Sequence, residues 1–119
     1  MLFSKPNDTT DGARAEALAA SYLSRHGLRI EARNFRVRGG EIDLVCRDGP
    51  TLVFVEVRLR RNAGYGGAAA SITAAKRRRI VLAAQHYLAG KPDCDCRFDC
   101  VLIDGEQLQW IKNAFAADD

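Results

Sequence analysis

The spacing of apolar residues predicts an amphipathic helix near the start of the chain. Apolar side chains recur there every three or four residues, which is the repeat of one helix face. Thr10 or Asp11 is expected to cap this helix, and Gly27 to end it near His26. The predicted core stripe consists of Ala15, Leu18, Ala19, Tyr22 and Leu23.

The same spacing predicts a second helix from about Thr73 to Ala89, ended by Gly90 and Pro92. Lys76 lies one turn before the first apolar residue of its stripe, so we expect its side chain to face the surface on which the helix packs. The predicted stripe consists of Ile80, Ala83, Ala84, Tyr87 and Leu88.

Alternating or continuously apolar segments between turn residues predict five strands. A long helix between the third and fourth strands requires a parallel crossover, so the sheet should be mixed. The predicted fold class is α/β, with a mixed central sheet of about five strands flanked by two main helices. The strands are Leu28–Val37, Glu41–Arg47, Leu52–Arg60, Arg97–Ile103 and Leu108–Lys112.

The turn between the second and third strands determines which of their residues face each other. Read as a four-residue hairpin loop, Asp48-Gly49-Pro50-Thr51 makes Arg47 the partner of Leu52. Alternation along each strand then places every second pair on one face of the sheet. These pairs are Val45 with Phe54, Asp43 with Glu56, and Glu41 with Arg58.

The length of 119 residues and the apolar share of 47% are typical of one globular domain. We expect residues 1–10 to form a flexible polar tail and residues 11–119 to form the domain. Residues 61–71, rich in glycine and alanine, suggest a mobile loop or an arm that covers substrate. Neither a signal peptide nor an apolar run of membrane-spanning length occurs, so the expected location is the cytoplasm, without membrane contact.

Arginine dominates the basic residues, although the net charge is only +3. The guanidinium fork suits phosphate, so clustered arginines favour a nucleic-acid partner, DNA or RNA. The alternative is a solvated face that keeps the protein soluble. The residues predicted to contact nucleic acid are Arg36, Arg38, Arg60, Arg61, Arg77 and Arg78.

The four cysteines invite the question of a zinc site. Cys46 lies in an apolar strand and is expected in the core. Cys94, Cys96 and Cys100 follow His86, but their spacing is not that of the common structural zinc modules. We therefore expect free thiols.

Asp43 and Glu56, opposed across a strand pair, should repel each other. A fold retains such a pair when a cation compensates, either a metal ion or a neighbouring basic side chain. Oxygen-only ligands suit Mg²⁺ or Mn²⁺, and Arg58 on the same face could stabilise charge on a phosphoryl group. The alternative is an exposed ionic ladder of Glu41, Asp43, Glu56 and Arg58.

Several motifs between residues 11 and 103 resemble the YraN family of bacterial proteins. This resemblance implies a restriction-endonuclease-like fold, similar to archaeal Holliday-junction resolvases and to the wider PD-(D/E)xK nucleases. The motifs are Asp11-Gly-Ala-Arg-Ala-Glu16, Ala19, Tyr22-Leu23, Arg33-Asn34-Phe35, Gly40-Glu-Ile-Asp-Leu44, Val53-Phe-Val-Glu-Val57, the Lys76 helix and Arg97-Phe98-Asp99.

The resemblance also implies roles for individual residues. Asp43 and Glu56 would be metal ligands, and Glu16 resembles the helix carboxylate that completes the site in resolvase-like members. The family usually reads Glu-Val-Lys where this chain has Glu56-Val57-Arg58, which puts full activity in question. Lys76 could substitute, since lysines of this superfamily can migrate to the neighbouring helix.

The leading hypothesis is a Mg²⁺-dependent endonuclease that acts on DNA, either branched or damaged. Its catalytic residues would be Asp43, Glu56, Arg58 and Lys76. A resolvase-like role favours a two-fold homodimer. The alternatives are a DNA- or RNA-binding module without efficient catalysis, and a protein-interaction domain whose acidic face contacts a basic partner.

Overall fold

The structure, a computed structural model, describes the backbone of residues 6–59 and 72–118 and the side chains of residues 11–59 and 72–118. The predicted order of helix, three strands, helix and two strands is confirmed. The elements are α1 (Pro6–Arg25), β1 (Arg29–Val37), β2 (Gly40–Asp48), β3 (Thr51–Leu59), α2 (Ala74–Leu88), β4 (Cys96–Asp104) and β5 (Gln107–Phe115).

The five strands form one mixed sheet, as predicted, in the order β1-β2-β3-β4-β5. Strands β3 and β4 run parallel, with Val55 beside Asp99, while all other neighbours are antiparallel. Helix α2 joins the two parallel strands, because a parallel connection must carry the chain back to the opposite end of the sheet. The α/β class with two flanking helices is therefore confirmed.

Helix α1 begins at Pro6, so the predicted cap at Thr10 or Asp11 is wrong. Proline suits a first helical position, because its missing N–H is one that a helix start leaves unpaired. Part of the segment expected to be a tail, residues 6–10, is thus helical. Residues 1–5 and the predicted loop over residues 61–71 lie outside the described residues.

Helix α2 begins and ends within one residue of the predicted positions, and Thr73 is its cap. The hydroxyl oxygen of Thr73 accepts a hydrogen bond of 3.1 Å from the backbone N–H of Lys76. The helix ends at Leu88, and Gly90 follows with a φ of 78°, which a glycine adopts without strain. Neither of the helices described combines the length and apolar character that crossing a membrane requires.

Each helix covers one face of the sheet, and each interface has its own apolar core. The α1 face includes Val53 and Val55, and the α2 face includes Leu52 and Phe54, all fully buried. Strand β3 is therefore apolar on both sides, as is usual for a strand buried between two layers. A charged side chain in the buried part of β3 is therefore enclosed by the protein, as the 4% exposure of Glu56 shows.

The buried stripe of α1 is rotated relative to the prediction. Ala15, Ala19 and Leu23 are buried as predicted, but Leu18 is 49% exposed and Ala20 is buried in its place. Small alanine side chains allow this part of the helix to contact the sheet directly. Periodicity alone does not show where such a narrow stripe is centred.

The register predicted between β2 and β3 is confirmed over their paired segment. Arg47 pairs with Leu52, although the turn is one pair shorter than expected, because Asp48 already pairs with Thr51. The loop itself thus contains only Gly49 and Pro50.

Helix α2 approaches β2 most closely at Gly40. A Cβ atom there would overlap the carbonyl oxygen of Arg79 and lie 3.1 Å from the backbone nitrogen of Ala83. The missing side chain therefore allows the first turns of α2, which carry Lys76, to lie over the end of β2.

We predict that Gly40→Ala destabilises the protein by about 1–3 kcal/mol, because backbone atoms must move to admit the methyl group. Gly12→Ala is the matched control, since a Cβ at that helical position meets nothing within 4 Å. The control should instead stabilise the protein by about 0.5–1 kcal/mol. Urea unfolding of both variants measures the two effects, and equal stabilities would contradict the close approach.

Candidate functional site

The candidate site lies where strands β2 and β3 stop pairing. Their paired segment ends at Leu44 and Val55, one step before the predicted Asp43–Glu56 pair. Beyond this point the backbone N–H of Val57 donates a hydrogen bond of 2.8 Å to Oδ2 of Asp43, a side-chain acceptor. The side chain of Asp43 thus takes the place of a backbone acceptor where the regular ladder ends.

A second irregularity adjoins the site in β1. Asn34 has a φ of 53°, in the left-handed region that asparagine tolerates better than most residues. Strand β1 pairs with β2 on either side of Asn34 and Asp43, but these two residues are not partners. Ile42 and Val45, three residues apart, both pack in the core on the α2 face. The simple alternation from which the shared face was predicted is therefore interrupted at Asp43.

Glu56 is the buried carboxylate of the site, with 4% of the residue exposed. Burial, and after it the negative charge of Asp43, raise the pKa of Glu56 to about 8. Its Oε1 atom is buried and has no hydrogen-bond partner among the described residues while the group is ionised, whereas the protonated carboxyl can share its proton with Asp43. A buried oxygen without a partner is costly to the fold, so a cation placed there would be strongly stabilising.

Two basic side chains face the other oxygen of Glu56. Nη1 of Arg58 lies 3.5 Å and Nζ of Lys76 lies 3.9 Å from Oε2. The prediction that Lys76 faces the sheet is confirmed, and Arg58 lies beside Glu56 as predicted. An exposed ionic ladder does not describe this face, because Glu56 is buried.

Glu41 pairs with helix α2 and not with Arg58, so the predicted cross-strand pair is wrong. Nζ of Lys76 donates a hydrogen bond of 2.6 Å to Oε2 of Glu41. Nη2 of Arg79 donates one of 2.7 Å to Oε1. These bonds hold the pKa of Glu41 below its usual range. In the sequence, these contacts of Glu41 were indicated only by the three-residue spacing of Lys76 and Arg79, which places both on one side of a helix.

Glu16 lies on α1 near the carboxylate of Asp43. Partial burial, and after it the charge of Asp43, raise its pKa, while the Asn34 side chain and the nearby Arg36 act in the opposite direction. Within residues 11–59 and 72–118, however, no three carboxylate, imidazole or thiolate groups converge closely enough to hold a metal ion. The structure thus brings Asp43 and Glu56 together and leaves Glu16 beside Asp43.

The predicted nucleic-acid-binding arginines differ in their surroundings. Arg36, Arg38 and Arg78 are exposed. Arg77 turns inward, where Nη1 donates a hydrogen bond of 2.7 Å to the carbonyl oxygen of Ile72 and Nε is buried without a partner in the described part of the chain. Arg60 and Arg61 lie outside the described residues.

A second buried carboxylate, Asp99, has a structural environment. It accepts hydrogen bonds from the side chains of Arg97 and Trp110 and from the backbone N–H of Asn113. Arg97 lies on β4, as Asp99 does, whereas Trp110 and Asn113 lie on β5. The hydrogen bonds of Asp99 therefore help to hold β4 and β5 together. The charged residue in an apolar strand was visible in the sequence, but its partners were not.

The cysteines divide by burial, and all four are free. Cys46 is buried in the core on the α1 face, as predicted. Cys100 is buried on the α2 face, and burial raises the pKa of each of these two thiols to about 12. Cys94 and Cys96 are exposed near the start of β4.

Comparison with known proteins assigns the chain to a family. The family model described as "Uncharacterised protein family UPF0102" matches residues 15–103. A UPF0102 protein of Dechloromonas aromatica (strain RCB) is 74% identical over 117 residues, covering 97% of this chain and 98% of that protein. A UPF0102 protein of Methylobacillus flagellatus is 52% identical, covering 89% of this chain and 96% of the relative. One of Xanthomonas campestris pv. campestris is 55% identical, covering 91% and 93% respectively. The resemblance to the YraN family is therefore confirmed, and the chain belongs to the uncharacterised protein family UPF0102.

Proposed function

We propose that the protein is an endonuclease that requires Mg²⁺ or Mn²⁺ and hydrolyses phosphodiester bonds in branched or damaged DNA. We propose with it that the fold is restriction-endonuclease-like. The observation that carries this proposal is the buried Oε1 atom of Glu56, which lacks a hydrogen-bond partner among the described residues and belongs to a carboxylate close to Asp43.

The donor set fits a hard divalent cation. Asp43 and Glu56 offer only oxygen atoms, which Mg²⁺ and Mn²⁺ prefer, and a cation would relieve both their repulsion and the unpaired oxygen. Two carboxylates suffice for Mg²⁺, because this ion usually retains several waters and binds substrate phosphate. In this proposal Glu16, which lies near Asp43, would accept a hydrogen bond from such a water.

A bound divalent ion supplies a Lewis acid that polarises the phosphoryl group and lowers the pKa of an attacking water. Arg58 stays charged at any working pH, and its planar fork suits a phosphoryl oxygen that gains negative charge. The ammonium of Lys76, which can donate a proton, lies 3.9 Å from Oε2 of Glu56. Lysine can release its proton where arginine cannot, so the two cations are suited to different tasks.

The exposed arginines support DNA as the substrate. Arg33 and Arg36 lie close enough to lower the pKa of Glu16, so positive charge adjoins the acidic site. Basic side chains in such places bind the phosphate backbone and set its position without reading base sequence. A two-fold homodimer, which would present two such sites to a DNA branch, is part of the same proposal.

A nucleic-acid-binding module without catalysis is the second candidate. The contacts of Arg58 and Lys76 with Glu56 favour it, because they partly compensate the carboxylate charges with the protein's own cations. Metal binding and cleavage distinguish the two candidates.

We predict that Glu56 makes the metal-free protein less stable as the pH rises. Its pKa is raised from an ordinary 4.5 to about 8, so across this window the folded protein holds a proton that the unfolded chain releases. Stability must therefore fall as the pH rises through the window. Glu56→Gln should remove this loss, which is on the order of several kcal/mol. Urea unfolding with a chelator, at about pH 5 and about pH 8.5, measures it. A pH-independent difference between variant and wild type would contradict a raised pKa.

We predict that excess Mn²⁺ raises the melting temperature of the wild-type protein. A saturating ligand that binds only the folded state contributes about 2.7 kcal/mol at one hundred times its dissociation constant. Asp43→Asn should abolish the Mn²⁺ response. Above about pH 8, where Glu56 is ionised, it should also raise the melting temperature of the metal-free protein slightly, because repulsion is removed.

Asp48→Asn is the control for this experiment, because Asp48 pairs with Arg97 and not with the site. It should retain the full Mn²⁺ response. Wild-type protein that melts at the same temperature with and without Mn²⁺ would show that the two carboxylates are structural.

We predict that Lys76→Ala abolishes metal-dependent cleavage of DNA, while Arg58→Lys changes it little. The reason is that Lys76 already supplies an ammonium group near Glu56. Cleavage of linear, flapped and four-way DNA with Mn²⁺ measures both variants. If Arg58→Lys instead strongly increases cleavage, then the arginine at position 58 limits the activity of the natural protein. No cleavage by folded, metal-bound wild type would favour the binding module.

A further inference from the structure

Glu41 links the end of strand β2 to the first turns of helix α2. One of its oxygens accepts a hydrogen bond from the ammonium of Lys76, and the other accepts one from the guanidinium of Arg79. Both contacts are short, at 2.6 and 2.7 Å, as is typical of charge-assisted hydrogen bonds. The carboxylate is therefore held at both oxygens by one helix.

We propose that Glu41 is a positioning residue, which holds the ammonium of Lys76 beside Glu56 in the proposed active site. This inference rests on the proposed nuclease function. The sequence resemblance assigned Glu41 no role, and strand register alone would have paired it with Arg58.

The distances separate the tasks of the two glutamates. Lys76 lies 2.6 Å from Oε2 of Glu41 but 3.9 Å from Oε2 of Glu56. The distance to Glu41 is that of a hydrogen bond, whereas the distance to Glu56 is too long for one. Glu41 therefore restrains the ammonium, and Glu56 remains available for other ligands while Lys76 stays within one water or phosphate oxygen of it.

Lysine needs such restraint more than most side chains. Its four-carbon stem has many rotamers, and ordering it costs conformational entropy. The side chains of Lys76 and Glu41 are 22% and 29% exposed, so water screens their attraction less than that of a fully exposed pair. Arg79 adds to the restraint, because its bond prevents the carboxylate of Glu41 from rotating away.

The test measures the accessibility of the Lys76 amine in metal-free protein. Folded wild type and Glu41→Gln are acetylated with a small amine-reactive ester, and each lysine is quantified by peptide mass spectrometry. Lys112, which lies over the Trp110 ring away from Glu41, is the internal reference. We expect Glu41→Gln to raise the acetylation rate of Lys76 by about threefold or more, because glutamine cannot form the ion pair.

Glu31→Gln is the matched control variant. Glu31 is also a strand carboxylate that accepts bonds from two side chains, those of Arg47 and of Tyr87 on α2. It should leave the Lys76 rate unchanged. Arg79→Gln is a second test variant, which keeps the Lys76–Glu41 pair but loosens the carboxylate. It should give a smaller increase than Glu41→Gln and keeps the test decisive if Glu41→Gln does not fold.

DNA cleavage with Mn²⁺ completes the test. We expect Glu41→Gln to lower cleavage at least threefold while its melting temperature shows a folded protein. An unchanged acetylation rate in folded Glu41→Gln and Arg79→Gln would overturn the positioning role. So would full cleavage by a Glu41→Gln protein whose Lys76 is released. Inactive wild type would instead contradict the proposed nuclease, and with it the purpose assigned to the positioned lysine.

Discussion

The central constraint on this structure is the buried carboxylate of Glu56. Burying an ionisable group beside apolar residues costs folding free energy unless the group is compensated. Burial and the charge of Asp43 both oppose its ionisation, and one of its oxygens has no hydrogen-bond partner in the described part of the chain. The preceding residues of β3, Leu52 to Val55, are buried and apolar on both faces, so an ionised carboxylate beside them costs stability that an apolar residue would not. Such a local cost is the usual mark of a site kept for its chemistry.

The surrounding elements are arranged around that carboxylate. The ladder between β2 and β3 ends where the side chain of Asp43 replaces a backbone acceptor. Gly40 lets helix α2 lie against the end of β2, and this approach brings Lys76 to the site. Glu41 then takes the hydrogen bond of the lysine, whose ammonium stays 3.9 Å from Oε2 of Glu56. The end of the β2–β3 ladder, the approach of helix α2 and the position of Lys76 thus all adjoin Glu56.

The cations explain why two functions fit the same geometry. Arg58 and Lys76 offset the negative charge around Glu56 whether or not a metal ion is bound, so the fold persists in both cases. A nuclease needs the remaining charge for a divalent ion, whereas a binding module does not. An arginine at position 58 can bind phosphate in either function. Chemistry that requires proton release must then rely on Lys76.

Local periodicity determined much of the fold before any tertiary contact was considered. Apolar alternation, turn residues and helix stops predicted the five strands, helix α2 and the β2–β3 register, because each depends on neighbours in sequence. The same register brought Asp43 and Glu56 together, and the stripe of α2 directed Lys76 towards the sheet. The Glu41–Lys76 bond joins residues 35 positions apart, and the exposure of Leu18 depends on how α1 rests on the sheet. Such features follow from how packed layers approach each other, so only the tertiary structure could decide them.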